Sequence, residues 1–220
     1  MSPKVTNASI VARQQLNETT LCLTLRPEVF IPYEAGQYLD IILDKQRLSY
    51  SIANAPLGSQ TYDLHLRNTP PFNTMKSLLI ELPFGTCTLQ TIDPNQKLIF
   101  IAGGTGFSPV HAMIQQLHAR QDQRSIALYW RVRSMSELYF NDVIQTWQHD
   151  MKHFSFFPLC STEQNTPLSQ HIVDQQGQNI KKSHIILAGP FDMIYNLRDE
   201  LIAYGLSKDQ LSSDAFSFEK

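Results

Sequence analysis

Leu98-Ile99-Phe100-Ile101-Ala102-Gly103-Gly104-Thr105-Gly106-Phe107-Ser108-Pro109 joins an apolar run to a glycine-rich turn and a helix start signal. The apolar run suits a strand buried on both faces. Glycines let the backbone turn tightly, and the helix that follows presents unpaired N–H groups and the positive end of its dipole. Together they favour an anion such as a pyrophosphate. Ser108 followed by Pro109 reads as an N-cap with proline at N1. Beyond it Val110, Met113, Ile114 and Leu117 recur at i, i+3, i+4 and i+7, the period of a half-buried helix. Gly103, Gly104 and Gly106 between strand and helix predict a nucleotide site at the carboxyl edge of a parallel sheet. Pro109 stands where the ordinary dinucleotide fingerprint has its third glycine. The alternative is a tight turn that binds nothing.

The same rhythm continues toward the C-terminus. Residues 125–130, 154–159 and 184–188 are further apolar runs of strand length, and a fifth strand is expected near 215–218. Phe140, Val143, Ile144 and Trp147 repeat the helical spacing, and Ser134 with Glu137 fits a capping box ahead of them. Residues 168–176 and 192–204 read as the remaining helices, the last closed by Gly205. Strand and helix in alternation give a doubly wound, five-stranded parallel sheet with helices on both faces. An NAD-type fold often carries an acidic residue at the end of the second strand, for the ribose. Here that strand ends in Arg131-Val132-Arg133. Guanidinium groups there suit a 2′-phosphate and tilt the expectation from NADH to NADPH, unless both are solvated loop arginines.

The N-terminal part has a different period. Leu21, Leu23 and Leu25 alternate with Thr20, Cys22 and Thr24, and Tyr62, Leu64 and Leu66 with Asp63, His65 and Arg67. Residues 38–43 and 49–53 are further short runs between Gly, Pro, Asn and Asp punctuation. Short strands with frequent turns predict an antiparallel β-barrel or sandwich. The change falls at Asp93-Pro94, which divides the chain into an N-terminal β-barrel domain, 1–94, and a C-terminal α/β domain, 95–220.

Composition narrows the partners. The 220 residues carry 18 Lys plus Arg against 20 Asp plus Glu, a net charge of −2. That balance lacks the basic footprint of nucleic-acid binding. No run approaches the roughly 20 apolar residues that span a bilayer, and residues 1–16 have no apolar export core, so a cytoplasmic protein with no membrane span is expected. Cys22, Cys87 and Cys160 are far apart and the seven histidines are not clustered, so no metal site is expected.

Two motifs taken together are specific: Gly103 to Pro109, and Tyr50-Ser51-Ile52-Ala53-Asn54-Ala55-Pro56 in the barrel half. With Ala35-Gly36-Gln37-Tyr38, Leu128-Tyr129-Trp130, Ala188-Gly189-Pro190 and Ser213-Asp214-Ala215-Phe216-Ser217-Phe218, they occur in family order over nearly the whole chain. In this the chain resembles the ferredoxin–NADP reductase superfamily, and within it the NAD(P)H:flavin oxidoreductases and the reductase components of deoxysugar synthesis. The resemblance implies a flavin-binding barrel, a nicotinamide domain, and hydride transfer from NADPH or NADH to FAD or FMN. It assigns Tyr50 to stacking on the flavin ring, Ser51 to a hydrogen bond near N5, and Ile52 and Ala53 to the same flavin-binding segment. Thr105, with Gly103, Gly104, Gly106 and Pro109, would hold the nicotinamide nucleotide. Gly189 and Pro190 would line its far side, and Phe216 or Phe218 would cover the flavin ring.

Two features depart from that pattern. Leu48 occupies the place of the arginine that grips a flavin phosphate, and Arg47, one place away, points to the opposite face of a regular strand. Residues 68–76 contain two adjacent prolines where the family has a phosphate-binding helix. Three outcomes stay open: flavin as a weakly held substrate recognised by its ring, flavin bound through Arg47 or substitutes such as Arg67, Lys76 or Asn73, or flavin lost. The leading expectation is a flavin reductase or small electron-transfer reductase that passes electrons to a separate acceptor protein. The alternative is a divergent, non-catalytic nucleotide-binding or scaffold protein.

Overall fold

Alternating apolar and polar residues fold the first part of the chain into six antiparallel strands: β1 (Lys4–Gln15), β2 (Thr20–Pro27), β3 (Tyr38–Leu43), β4 (Gln46–Ser51), β5 (Tyr62–Arg67) and β6 (Ser77–Phe84). The structure, a computed structural model, describes residues 2–44, 46–67, 72, 74–162 and 166–219. The strands pair in the order β4-β3-β6-β1-β2-β5, and a bridge between Ile52 and Leu64 joins the two ends of the sheet. Leu23, Leu25, Leu39, Ile41, Leu64 and Ile80 fill the interior with no exposed surface. Each such side chain contributes about 1.5–3 kcal/mol relative to exposure.

Continuous apolar runs build the second sheet, in which every pairing is parallel: β7 (Lys97–Gly103), β8 (Ile126–Val132), β9 (Phe154–Cys160), β10 (Ser183–Ala188) and β11 (Leu211–Ser212), in the order β11-β10-β7-β8-β9. Helices α1 (Phe107–Ala119), α2 (Asn141–Asp150), α3 (Leu168–Gln176) and α4 (Phe191–Ala203) connect them. This is the expected antiparallel barrel followed by a five-stranded doubly wound sheet. By contacts the chain divides into two compact units, one of residues up to Leu89 with Ser108–Arg120, the other of Gln90–Phe107 with residues from Gln121 onward. Helix α1, apart from Phe107, is therefore part of the first unit.

Three local expectations are corrected. The fifth strand is Leu211–Ser212, because 214–218 wind into a 3₁₀ turn that the Ser213 hydroxyl caps and the Tyr195 hydroxyl holds through the Ala215 carbonyl at 2.7 Å. Ser134 caps the separate 3₁₀ turn Met135–Glu137, while α2 begins later, after Phe140 at φ 59°. Helix α1 begins at Phe107, so Ser108 lies inside its first turn rather than capping it. Pro109 still falls where a missing N–H costs no intrahelical bond.

Candidate functional site

The parallel sheet reverses its strand order at β7, the place where open α/β sheets bind ligands. There the carboxyl ends of β7 and β10 lie side by side, with Ala102 paired to Ala188. Gly189, at φ 153°, brings its backbone so near that a Cβ on it would stand 3.1 Å from the Gly103 Cα. A Cβ on Gly106 would run into the Ala188 carbonyl. The Met193 thioether packs beneath Gly103 and Gly189, 2.8 Å from where either Cβ would be. At Gly106 and Gly189 glycine is thus demanded by backbone approach. The turn is locked from β8: the Trp130 indole N–H donates to the Gly104 carbonyl at 2.9 Å, and Phe107 stacks on the indole at 3.9 Å with Tyr139 edge-on to both. Gly104, Thr105, Gly106 and Pro109 stay half-exposed above this platform.

Arg131 is paired with Gly103 across the ladder, and its buried Nε has no hydrogen-bond partner. Arg133, two residues on and just past the end of β8, is exposed. An orphaned guanidinium N–H beside the glycine turn fits an anionic or acceptor group of a ligand. Phe218 lies 5.9 Å from Phe191, the residue after Pro190, and both are half-exposed. Phe216 is turned against α4, stacked on Tyr195 beneath the Arg198 guanidinium, which clasps Glu219 at 2.7 Å. The two tail phenylalanines therefore have separate settings.

In the barrel, β3 and β4 pair in unbroken register from Tyr38–Ser51 to Leu43–Gln46. Leu48 and Tyr50 pack against the barrel core, and alternation puts Arg47, Ser49 and Ser51 on the other face. Tyr50 meets Phe72 edge-on at 6.3 Å, and burial raises its phenol above the usual range. The Arg47 guanidinium pairs with Glu81 and Asp40. The structure thus separates Arg47 from Tyr50 and gives it carboxylates as partners. Ile52 and Ala53 are buried, continuing the chain inward from Ser51.

Residues 100–199 match the family described as oxidoreductase NAD-binding domain. Over 89% of the chain the sequence is 33% identical to the CDP-6-deoxy-L-threo-D-glycero-4-hexulose-3-dehydrase reductase of Yersinia pestis, of which it spans 63%. It is 27% identical to an NAD(P)H-flavin reductase of Aliivibrio fischeri, covering 96% of this chain and 98% of that protein. The fold matches the ferredoxin-NADP+ reductase of Plasmodium falciparum with a TM-score of 0.79 at 16% identity, covering 93% of this chain and 94% of the other. The chain belongs to the ferredoxin–NADP reductase family.

For a member of this family the two half-sites are unequal. The residues present fit a nicotinamide nucleotide: the cradle is built, and Arg131 offers an unused donor. In the barrel, Leu48 and Tyr50 both lie against the core, and Leu48 offers no phosphate grip. The proposed substitute Asn73 and most of the expected helix-free segment, residues 68–71 and 73, lie outside the described residues. Arg67 ends β5, and Lys76 is exposed. No cluster of metal-binding side chains occurs among the described residues, and no helix there is long and apolar enough to cross a membrane.

Sequence reasoning missed three residues. Trp130 was noted only as part of a strand motif. His111 and Gln115 lie one turn apart on α1 and bond to Ala53 and Ala55, 58 and 60 residues away. Their only local signal is a pair of polar residues at i, i+4 beside an apolar stripe.

Proposed function

We propose that this protein is an NAD(P)H-dependent flavin reductase, which takes its flavin as a weakly held substrate recognised by the ring. The observation that carries this reading is the glycine turn of β7, closed against Gly189 and Pro190 where the strand order reverses. The match to the Aliivibrio flavin reductase over nearly its full length supports it. Barrel residues 1–94 would serve the flavin and residues 95–220 the nicotinamide nucleotide. When bound, the cofactors would supply the redox chemistry, in which NAD(P)H, a proton and oxidised flavin give NAD(P)+ and reduced flavin.

The chain's own residues would bind and orient. Thr105, Gly104 and Gly106, with the N–H groups of the first turn of α1, would hold the nucleotide, and Gly103, Gly189, Pro190 and Pro109 would shape its bed. Arg131, with Arg133 beside it, would meet a 2′-phosphate and favour NADPH. Tyr50 would face the flavin ring. A Ser51 hydroxyl can donate or accept, so it would serve either redox state of the flavin N5. Ile52 and Ala53 would support that strand end, and Phe218 is the better placed of the two tail aromatics to cover a ring, because it is half-exposed at the start of α4 whereas Phe216 lies beneath the Arg198 guanidinium.

Mixing the purified protein with NADPH or NADH and riboflavin, FMN or FAD should consume the nicotinamide. Zero turnover with all three flavins rejects the proposal. A second reading follows from the Yersinia relative, a dehydrase reductase by name: electrons pass on to a separate protein acceptor. Leu48 favours the non-catalytic alternative, for which NAD(P)H binding without flavin binding would be the signature.

A further inference from the structure

We infer that His111 and Gln115 of α1 are positioning residues for the end of β4, where Tyr50 and Ser51 stand. The chain leaves β4 as Ile52-Ala53-Asn54-Ala55, and its backbone groups are held in turn. Ile52 N–H donates to the Gln37 carbonyl at 3.0 Å, and Ala53 N–H to the Asp63 carbonyl at 2.7 Å. The Tyr33 hydroxyl donates to the Asn54 carbonyl at 2.9 Å. Leu57 N–H donates to the Ala55 carbonyl at 2.8 Å, and two further bonds come from the helix. His111 Nδ1 lies 2.7 Å from the Ala53 carbonyl and must carry the proton, since a carbonyl only accepts. Gln115 Oε1 accepts from Ala55 N–H at 2.7 Å.

Burial of α1 does not require these two side chains. Val110, Met113, Ile114 and Leu117 already supply an apolar face with at most 1% exposure. Polar side chains in such a place cost desolvation unless paired, and they contribute by fixing geometry. His111 and Gln115, four apart, lie on one side of the helix and set the peptide planes of Ala53 and Ala55. Ala53 is two residues beyond Ser51, on a strand end with no slack, because Ile52, Ala53 and Ala55 are at most 2% exposed. Helix α1 follows the glycine turn directly in the chain, so the segment that opens at the nucleotide turn also carries the clasp for the Tyr50-Ser51 strand end.

This inference rests on the proposed reading that Tyr50 and Ser51 meet a flavin ring. The test compares wild-type protein with Gln115→Met, which loses the acceptor, Gln115→Glu, which keeps it, and His111→Leu. Three quantities are read: riboflavin fluorescence quenching, NAD(P)H affinity by titration, and the single-turnover rate at saturating riboflavin. Gln115→Met and His111→Leu should each weaken riboflavin binding about fivefold and slow that turnover, with NAD(P)H affinity unchanged and Gln115→Glu close to wild type. Folded variants that bind riboflavin and turn over like wild type overturn the positioning role alone. So does a loss in Gln115→Glu equal to that in Gln115→Met. A wild-type protein that neither quenches riboflavin nor oxidises NAD(P)H in its presence overturns the flavin reading and this inference with it. If Gln115→Met does not fold, Gln115→Asn, which shortens the side chain and withdraws the acceptor, decides by the same criteria.

Discussion

The Trp130 indole N–H donates to the Gly104 carbonyl at 2.9 Å, while Phe107, three residues beyond Gly104, stacks on the same indole. One side chain of β8 thus holds both ends of the glycine turn. A buried indole N–H without a partner is costly, so the peptide of Gly104 has one favoured orientation. Trp130→Phe keeps a stacking ring and removes the bond. Its NADPH dissociation constant, measured by titration, should rise about threefold to tenfold with riboflavin quenching unchanged. Equal NADPH affinities would show that the turn holds itself.

Gly106 faces the Ala188 carbonyl with no room for a methyl group. The obstacle is backbone, so relief requires the ends of β7 and β10 to separate. Gly106→Ala should cost about 1–3 kcal/mol, read as a lower midpoint in urea, and should weaken NADPH binding at least tenfold. Wild-type stability and affinity in this variant would refute the close packing.

Arg131 has a buried Nε without a partner and Arg133 is exposed. If Arg131 meets a 2′-phosphate, Arg131→Ala should lower the NADPH to NADH ratio of kcat/KM about tenfold, the worth of a charge-assisted bond. The same substitution should leave NADH kinetics near wild type. An unchanged ratio would assign Arg131 to another acceptor.

Leu48 lies on the Tyr50 side of β4, whereas Arg47 is held by Glu81 and Asp40 on the other. Wild-type protein should therefore bind riboflavin and FMN within about threefold of each other. Leu48→Arg should strengthen FMN about tenfold and leave riboflavin unchanged, at some cost in thermal stability from the lost packing. Tight FMN binding by the wild type would reveal a phosphate grip elsewhere.

His65 and His111 are buried with ring centroids 5.9 Å apart. Burial first, then the neighbouring His111, pulls the pKa of His65 down to about 3. Burial also lowers that of His111, against the pull of the Ala53 carbonyl. Between the unfolded value near 6.5 and these folded values the unfolded chain binds more protons, so stability is lost as pH falls through that window. The loss approaches about 1.4 kcal/mol per pH unit for each histidine. Urea midpoints from about pH 7 to pH 4.5 should fall less steeply for His65→Asn than for wild type. Parallel slopes would mean that the pair is not the acid-labile element.

Much of the architecture could be read along the chain, because burial on both faces forces the continuous apolar runs of β7, β8 and β10, and the alternate residues Leu23, Leu25, Tyr62, Leu64 and Leu66 of β2 and β5 all enter the barrel core. β1 escaped, since Thr6 and Ala8 alone among its twelve residues are buried and the rest carry no period. The strand expected at 215–218 failed because the Ser213 cap and the Tyr195 hydroxyl, twenty residues from its partner, override the local apolar pattern.

Local order alone determined the glycine turn, the Tyr50-Ser51 strand end and the displacement of Arg47 to the wrong face, since chain stiffness and the two-residue strand period act over neighbouring residues. Only the folded chain decided that Trp130 grips Gly104, that Glu81 and Asp40 occupy Arg47, and that His111 and Gln115 clasp Ala53 and Ala55. Those bonds join residues 26 to 60 positions apart, apart from Arg47 to Asp40, and a hydrogen-bonding group does not announce its distant partner. Pairing across such distances exists once the sheets have closed and brought the groups within 3 Å or so of each other.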